Sequence, residues 1–429
     1  MTRALSIEIR RSAAVGSALI LLAVGVALLY LVDEAEWSTG WMQLVMTQRL
    51  YLAMLWPLAL AAGAWQGRRE QQSNVTELFA STPRPRGQRV VPTLGAMAVT
   101  IVAAYVLMGV AGAVSIISTA SYLPVAVVAV VAVGALALLA AVWIGLAVGR
   151  LLPWLATAPT LGVAGLGLLL TIPAITRPRG WLALVFSPIY EMNMPDAYTT
   201  VPGRVSVAQA IWLAGLAVAG VLLFASSGRR LRLAALLPVA LGAALAVTVM
   251  PHQNRTVVDS VDPVAQELVC ATDEARVCVS RVHEGLLPTI VPQAREALTI
   301  LAKLPGTPTQ VHEDNTTYLP YRPAPRSADV ALVPIRTGYE SLDGTSDEIG
   351  NLMPKIVVAA FASPYDCDKG PARPDTLAAA YWLIGRQPVF EEPDTAADAV
   401  IRWQALRDLP ADQAAAKVTA IRAAALECK

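Results

Sequence analysis

Two histidine–glutamate pairs, His283-Glu284 and His312-Glu313, carry the residue types of zinc-dependent hydrolysis. Zinc hydrolases use H-E-x-x-H, which places two histidine ligands one helical turn apart and lets the glutamate act as the base. Here leucine and threonine stand where the second histidines would be, and there is no G-x-S-x-G nucleophile elbow. We therefore expect no catalytic and no metal site; the open alternative is an irregular site that adds His252 and nearby acids.

The five lysines exclude a P-loop nucleotide site. A Walker A loop needs Gly-Lys-Ser or Gly-Lys-Thr so that the lysine reaches the phosphates. No lysine in this chain follows a glycine or precedes a serine or threonine. We therefore expect a chain that is not an enzyme and that holds no cofactor of its own.

All four cysteines, Cys270, Cys278, Cys367 and Cys428, lie in the last 179 residues. An even count is typical of disulfides in an oxidising compartment, and four cysteines allow three pairings. The favoured pairing joins Cys270 to Cys278 and Cys367 to Cys428, so that the second bond ties the last helix back. A four-cysteine zinc site is the alternative, although no C-x2-C pair is present.

Composition and charge divide the chain into two parts. Hydrophobic residues make up 55% and charged residues only 15%, against about 25% charged in an ordinary soluble domain. Residues 1–250 carry a net charge of +8 and residues 251–429 a net charge of −7. We predict a polytopic α-helical membrane domain of about seven spans over 1–250, followed by a disulfide-braced extracytoplasmic α/β domain over 251–429. The acidic second part argues against a nucleic-acid partner.

Seven apolar stretches are long enough to cross a bilayer, which takes roughly 17–25 residues. None contains an ionisable residue in its interior, which disfavours a proton-coupled carrier. Trp56, Trp65 and Tyr105 are the candidate residues of a substrate path, with lipid-facing aromatics as the alternative. The predicted spans are 13–32, 50–66, 90–115, 122–149, 151–175, 207–226 and 233–250.

The arginines predict the orientation, because arginine and lysine accumulate on the cytoplasmic side. With the N-terminus inside, twelve arginines fall in cytoplasmic segments. The remaining four, Arg49, Arg177, Arg179 and Arg204, fall in predicted outside loops. We therefore expect a protein of the bacterial plasma membrane with a cytoplasmic N-terminus and residues 251–429 outside.

Periodicity in the second part predicts alternating helices and strands. A helix is expected over 286–303. The expected strands are Thr309–His312, Asp329–Ile335 and Ile356–Ala362, the last as a buried strand because its apolar run is continuous. Further helices are expected over Leu377–Ile384, Thr395–Leu406 and Asp412–Cys428.

The segment 67–89 between the second and third spans carries the clearest motif. Arg69-Glu70 and then Thr76 to Arg84, Thr-Glu-Leu-Phe-Ala-Ser-Thr-Pro-Arg, resemble the first cytoplasmic loop of type-2 ABC export permeases. The chain departs from that loop at Asn74-Val75, where a glycine is common, and by an arginine in place of a later lysine. The resemblance implies a coupling helix whose ATPase contacts are Glu70, Thr76, Glu77, Leu78, Phe79, Ser81, Thr82, Pro83 and Arg84.

The same resemblance implies the partners. They are a separate ATP-binding subunit that holds ATP and magnesium, and a second permease copy or paralogue, two permeases to two ATPases in the lipid bilayer. The cargo would be amphipathic or apolar, such as a peptide, a lipid or an antibiotic. The alternative function is a multispan anchor for an outside receptor or hydrolase.

Two further stretches add to the resemblance. The apolar island Trp181–Phe186 is similar to the re-entrant segment between the fifth and sixth spans of such permeases, and an interfacial helix or loop is the alternative. Residues 276–284 and 304–308 resemble outside domains attached to some actinobacterial permeases, which implies no activity.

Overall fold

A computed structural model gives the structure of the chain. It describes residues 13–32, 37, 40–69, 86–189, 197–226, 228–252, 260–272, 277–318, 321–325, 327–335, 351–363, 367, 369–390 and 392–429. The chain folds into two compact units. The first comprises Met1–Ile117 with Leu123–Val261, and the second comprises Ser118–Tyr122 with Asp262–Lys429.

The first unit is a bundle of apolar helices. Among its described residues, six helical segments are long and apolar enough to cross a membrane, or up to seven if one bent pair counts as a single span. One of the six, Arg229–Val249, consists of two consecutive helices. The protein is therefore a polytopic α-helical membrane protein. The helices are α1 (Ala14–Val32), α2 (Trp41–Leu50), α3 (Leu52–Gly67), α4 (Arg86–Ile116), α5 (Ala126–Leu151), α6 (Thr157–Ile175), α7 (Gly180–Phe186), α8 (Gly203–Ala225), α9 (Arg229–Ala234) and α10 (Leu236–Val249).

The bent pair is α2 and α3, whose axes differ by 50°. The predicted second span, 50–66, coincides with α3. The preceding helix α2 falls where an outside loop was expected. Its polar residues Gln43, Thr47, Gln48 and Arg49 lower the hydropathy of this stretch, although it continues the helical run.

Glycine pairs bring α3 and α5 into backbone contact. A Cβ on Gly63 would lie 2.2 Å from the Val142 carbonyl oxygen, and one on Gly145 would lie 2.2 Å from that of Leu60. One turn further on, Gly67 and Gly149 are equally close to the backbone of the opposite helix. Such close approach lets helices pack in lipid, where burial of apolar surface does not drive association.

One end of the first unit gathers segments far apart in sequence. An apolar cluster there joins α2, the first turns of α5, α7, the start of α8 and the end of α10. Trp181 stacks on His252 with 4.3 Å between ring centroids. The short strand β1 (Thr199–Thr200) pairs antiparallel with β2 (Ser260–Val261), so the chain beyond α10 stays with the first unit up to Val261.

The second unit contains a four-stranded mixed sheet. Its strands are β3 (Leu268–Cys270), β4 (Val277–Ser280), β5 (Gln310–Glu313) and β8 (Val330–Val333), in that order. The β3–β4 pair is antiparallel, and β4–β5 and β5–β8 are parallel. A separate hairpin pairs β6 (Thr317–Tyr318) with β7 (Tyr321–Arg322).

Helices cover this sheet and complete the core, in which Ile290, Val311, Ile356 and Phe361 are buried. Most predicted elements of this unit are confirmed, and both predicted disulfides, Cys270–Cys278 and Cys367–Cys428, are present. The helices are α11 (Pro263–Gln266), α12 (Leu287–Leu301), α13 (Leu352–Ala359), α14 (Arg373–Ile384), α15 (Pro393–Arg407) and α16 (Ala411–Glu427), with a 3₁₀ turn at Arg281–Leu286.

The predicted strand Ile356–Ala362 is wrong, because α13 occupies most of it. A continuous apolar run of this length suits a buried strand and a buried helix equally. Here Leu352, Met353, Ile356 and Val357 repeat at helical spacing and are all buried. The helix therefore supplies one apolar face to the core, and no strand forms.

Candidate functional site

Arg49, in the last turn of α2, is buried among the helices of the first unit with 2% of its surface exposed. Its Nη2 donates to the Pro188 carbonyl oxygen at 2.9 Å and to Gln209 Oε1 at 3.3 Å, and its Nη1 donates to the Val130 carbonyl at 3.4 Å. The prediction that Arg49 lies in a loop is therefore wrong, since this residue belongs to α2. The reason is that α2 extends the helical run upstream of the predicted span.

The neighbouring residue, Gln48, is also fully buried. Its Nε2 donates to the Tyr105 carbonyl oxygen of α4 at 2.6 Å. Gly109, one turn along α4, provides the room, because a Cβ there would lie 3.1 Å from Gln48 Oε1. Two adjacent polar side chains of α2 thus reach in different directions into the bundle.

Tyr105, a predicted substrate-path residue, packs against the same site. A Cβ on Gly134 of α5 would lie 2.2 Å from the Tyr105 hydroxyl and 3.0 Å from Arg49 Cδ. Glycine at 134 therefore accommodates both side chains. Tyr105 is 2% exposed, and within the described part of the chain its hydroxyl has no hydrogen-bond partner. We call Gln48, Arg49, Tyr105, Gly134 and Gln209 the Arg49 cluster.

Gln209 of α8 connects the Arg49 cluster to the short helix α7. Its Oε1 accepts from Arg49, and its Nε2 donates to the Leu184 carbonyl at 2.8 Å. Trp212, one turn along α8, donates through Nε1 to the Phe186 carbonyl at 3.3 Å. The last carbonyls of a helix have no intrahelical partners. Side chains of α2 and α8 supply donors at this end of α7, whose central residues are buried.

The Arg49 cluster lies inside the bundle rather than at its surface. Val130 is four residues into α5 and Gln209 six residues into α8, which places the guanidinium about 6–9 Å from the start of these helices at 1.5 Å per residue. Arginine stays protonated in proteins and cannot act as a proton relay. The chemistry open to the cluster is therefore binding and positioning, and what it positions is α7.

The other predicted site residues are dispersed. Trp56 is buried between α3 and α6, against Gly165. Trp65 is half-exposed near the end of α3, where the Arg68 guanidinium stacks 3.7 Å from its ring centroid. The predicted ATPase contacts Glu70, Thr76, Glu77, Leu78, Phe79, Ser81, Thr82, Pro83 and Arg84 lie outside the described residues.

In the second unit, the histidine of one predicted histidine–glutamate pair contacts the glutamate of the other pair. His283 Nδ1 lies 2.7 Å from Glu313 Oε1, and both side chains are buried. Glu313 Oε2 accepts the Ser280 amide at 2.6 Å. This contact joins two different predicted pairs, which spacing alone does not indicate. Among the described residues, no group of three or more histidine, cysteine, aspartate or glutamate side chains is arranged to hold a metal ion.

No protein-family model, curated protein or solved structure matches this chain.

Proposed function

We propose that this chain is the membrane-spanning permease subunit of an ABC exporter, moving an amphipathic or apolar cargo with ATP hydrolysed by a separate subunit. The motif from Arg69 to Arg84 suggests the family. The helical bundle supports the proposal, because it is polytopic and the sequence contains no Gly-Lys-Ser or Gly-Lys-Thr of a Walker A loop.

The structural observation that carries the proposal is α7. This seven-residue helix is too short to cross a bilayer, yet its central residues are buried. Gln209 and Trp212 donate to its Leu184 and Phe186 carbonyls, and Arg49 donates to the Pro188 carbonyl just after it. The helix occupies the place, between the fifth and sixth spans, where the resemblance implies a re-entrant segment. A loose surface loop would not need a buried guanidinium and a buried amide to hold it.

In the proposed arrangement, α2 and α3 form one bent span, so that seven spans place the N-terminus in the cytoplasm and the acidic second unit outside. The segment between α3 and α4 then docks on the ATPase. The Arg49 cluster lies toward the outside end, where it holds α7 in a closed position. Cargo release would require α7 to separate from α8, and the hydrogen bonds of Gln209 oppose that movement.

Purification of this chain from its native membrane, with detection of a co-purifying ABC ATPase, tests the proposal. Glu77→Arg reverses a charge in the proposed coupling helix, and we expect it to lower complex formation and cargo-stimulated ATP hydrolysis at least about tenfold. The matched control is Glu296→Arg on the exposed side of α12, which should leave both unchanged. An ATPase that neither binds nor responds to the native chain would favour the anchor function instead.

A further inference from the structure

The connection between α4 and α5 folds as part of the second unit, although both helices belong to the first. Ser118–Tyr122, called here the 118–122 loop, lies in the short segment between Ile116 and Ala126. Ala120, at its centre, is buried with 6% exposure. Ala120 is therefore packed within the second unit, while Ser118, Thr119 and Ser121 stay exposed.

Gly285 forms the closest contact with this loop. A Cβ at position 285 would lie 2.0 Å from the Thr119 carbonyl oxygen and 2.8 Å from its carbonyl carbon. Real Cβ atoms do not approach backbone so closely, and main chain cannot move aside as a flexible side chain can. Glycine is thus required at 285 for the loop to be seated.

Asp262 makes a second contact from another segment. The Tyr122 hydroxyl donates to Asp262 Oδ2 at 2.7 Å. Asp262 Oδ1 accepts the amides of Val264 and Ala265 at the start of α11, so one carboxylate caps the helix and holds the loop. Burial first, and then the hydrogen bond to Asp262, raise the pKa of Tyr122 to about 12, which keeps the phenol protonated as a donor at physiological pH.

The turn that contacts the 118–122 loop is connected to the core of the second unit. Gly285 belongs to the 3₁₀ turn that follows β4, and this turn also contains His283. The buried contact of His283 with Glu313 attaches the turn to the central strand β5. Ser280, at the end of β4, donates to the same carboxylate. The turn that contacts the loop is therefore attached to β4 and β5 by buried hydrogen bonds.

We propose that Gly285 and Asp262 form a docking site of the second unit that holds the 118–122 loop, the connection between α4 and α5, in one conformation. The unit recognises this loop of its own chain by backbone shape at Gly285 and by hydrogen bonding at Asp262. The inference depends only on contacts within the second unit and holds whether or not the protein is an exporter.

Hydrogen–deuterium exchange on the full chain in nanodiscs tests this inference. Gly285→Val should expel the loop and raise amide exchange at 118–122 at least tenfold. The matched control is Gly203→Val, since nothing lies within 4 Å of a Cβ at that glycine, and it should leave the loop unchanged. Unchanged exchange at 118–122 in a folded Gly285→Val protein would overturn the proposal.

Protection of β5 decides whether that variant is folded. If the amides of 310–313 lose protection, Gly285→Val is not folded, and the same exchange measurement is made on Tyr122→Phe instead. This substitution removes one hydrogen bond and little volume. We expect it to raise exchange at 118–122 about threefold to tenfold while β5 stays protected. No change in the loop with Tyr122→Phe would then overturn the proposal. Neither measurement involves an ATPase, so failure here is distinguishable from failure of the proposed function.

Discussion

Each unit contains a buried arginine that joins three distant segments. In the first unit, Arg49 donates to two carbonyl oxygens and one amide oxygen. In the second, Arg422 of α16 donates to the carbonyls of Ala360, Gly306 and Ala328. Burial lowers the pKa of Arg422 from its usual value, yet arginine remains charged. The two arginines therefore make similar hydrogen bonds, but different kinds of packing surround them.

What surrounds the two arginines is different. Helices of the first unit touch through glycine and backbone, as at Gly63 and Gly145, because lipid provides little hydrophobic drive for helix association. The second unit has a side-chain core and two disulfides, as expected of a domain that buries apolar surface from water. We therefore expect the contribution of each arginine to the stability of its unit to differ, and substitutions can measure this difference.

The largest expected effect is that of Gly63→Leu. The new side chain would collide with the backbone of α5, forcing α3 and α5 apart, and we expect no folded helical unit to be recovered. The measurement is the yield of monodisperse protein by size exclusion in detergent. Gly167→Leu is the control, since a Cβ at that glycine meets nothing within 4 Å. Equal yields would mean that glycine contact does not hold the first unit together.

Removing the disulfides comes next. The Cys367–Cys428 bond closes 61 residues and the Cys270–Cys278 bond closes 8. Chain-entropy arguments give losses in the free energy of unfolding of about 4 and about 2.5 kcal/mol respectively. Paired serine variants of each bond, with unfolding of the second unit followed by denaturant titration, test the order. A larger loss from the short loop would show that local strand geometry outweighs chain entropy.

Arg422→Met should destabilise the second unit by about 3 kcal/mol, because three buried carbonyls lose a charged donor. Denaturant titration, with hydrogen exchange in α16, measures this loss. Arg402→Met is the control: Arg402 pairs with Asp375 at the surface, and such pairs are worth about 1 kcal/mol or less. Similar losses in the free energy of unfolding from the two variants would mean that the hydrogen bonds of Arg422 do not stabilise the second unit.

The smallest expected effect is that of Arg49→Met. It removes the hydrogen bonds to Val130, Pro188 and Gln209, but interhelical bonds in membranes are worth only about 0.6 kcal/mol on average, and burying a charge among lipid-embedded helices is itself costly. We expect a loss of about 1–2 kcal/mol, seen as faster exchange of α7 amides with the bundle intact. Arg204→Met, at an exposed position, is the control. A loss as large as that of Arg422→Met would erase the difference between the two surroundings.

Hydropathy was sufficient to predict the membrane helices but not the Arg49 cluster. Residues 123–149 are almost uninterrupted apolar sequence, and α5 lies there. In α2, Gln48 and Arg49 lowered the apolar average, so a window that scores hydropathy excluded the polar residues that the bundle buries. The available signal was the apolar stretch from Trp41 to Met46 directly before them, which makes a helix across Arg49 plausible.

Most of what the sequence could not predict consists of contacts between residues that are far apart along the chain. The Cys367–Cys428 pairing was favoured among the three that four cysteines allow, but the sequence did not exclude the other two. The contact between His283 and Glu313 was not predictable, because it depends on β4 and β5 being adjacent and parallel, and nothing in local spacing encodes that order. In the segment Ile356–Ala362 the difficulty is local, because its continuous apolar pattern was clear but is compatible with both a strand and a helix.

The hydrogen bonds of Arg49 also set an order of events during synthesis. Its acceptors at Val130, Pro188 and Gln209 follow it by 81, 139 and 160 residues. At translation rates of roughly 5–20 residues per second, the last acceptor emerges on the order of 10–30 s after Arg49. Until then α2 carries a charge without its final partners, so it must wait at the membrane surface or beside the insertion machinery. Biogenesis of this protein should therefore end, rather than begin, with the burial of α2.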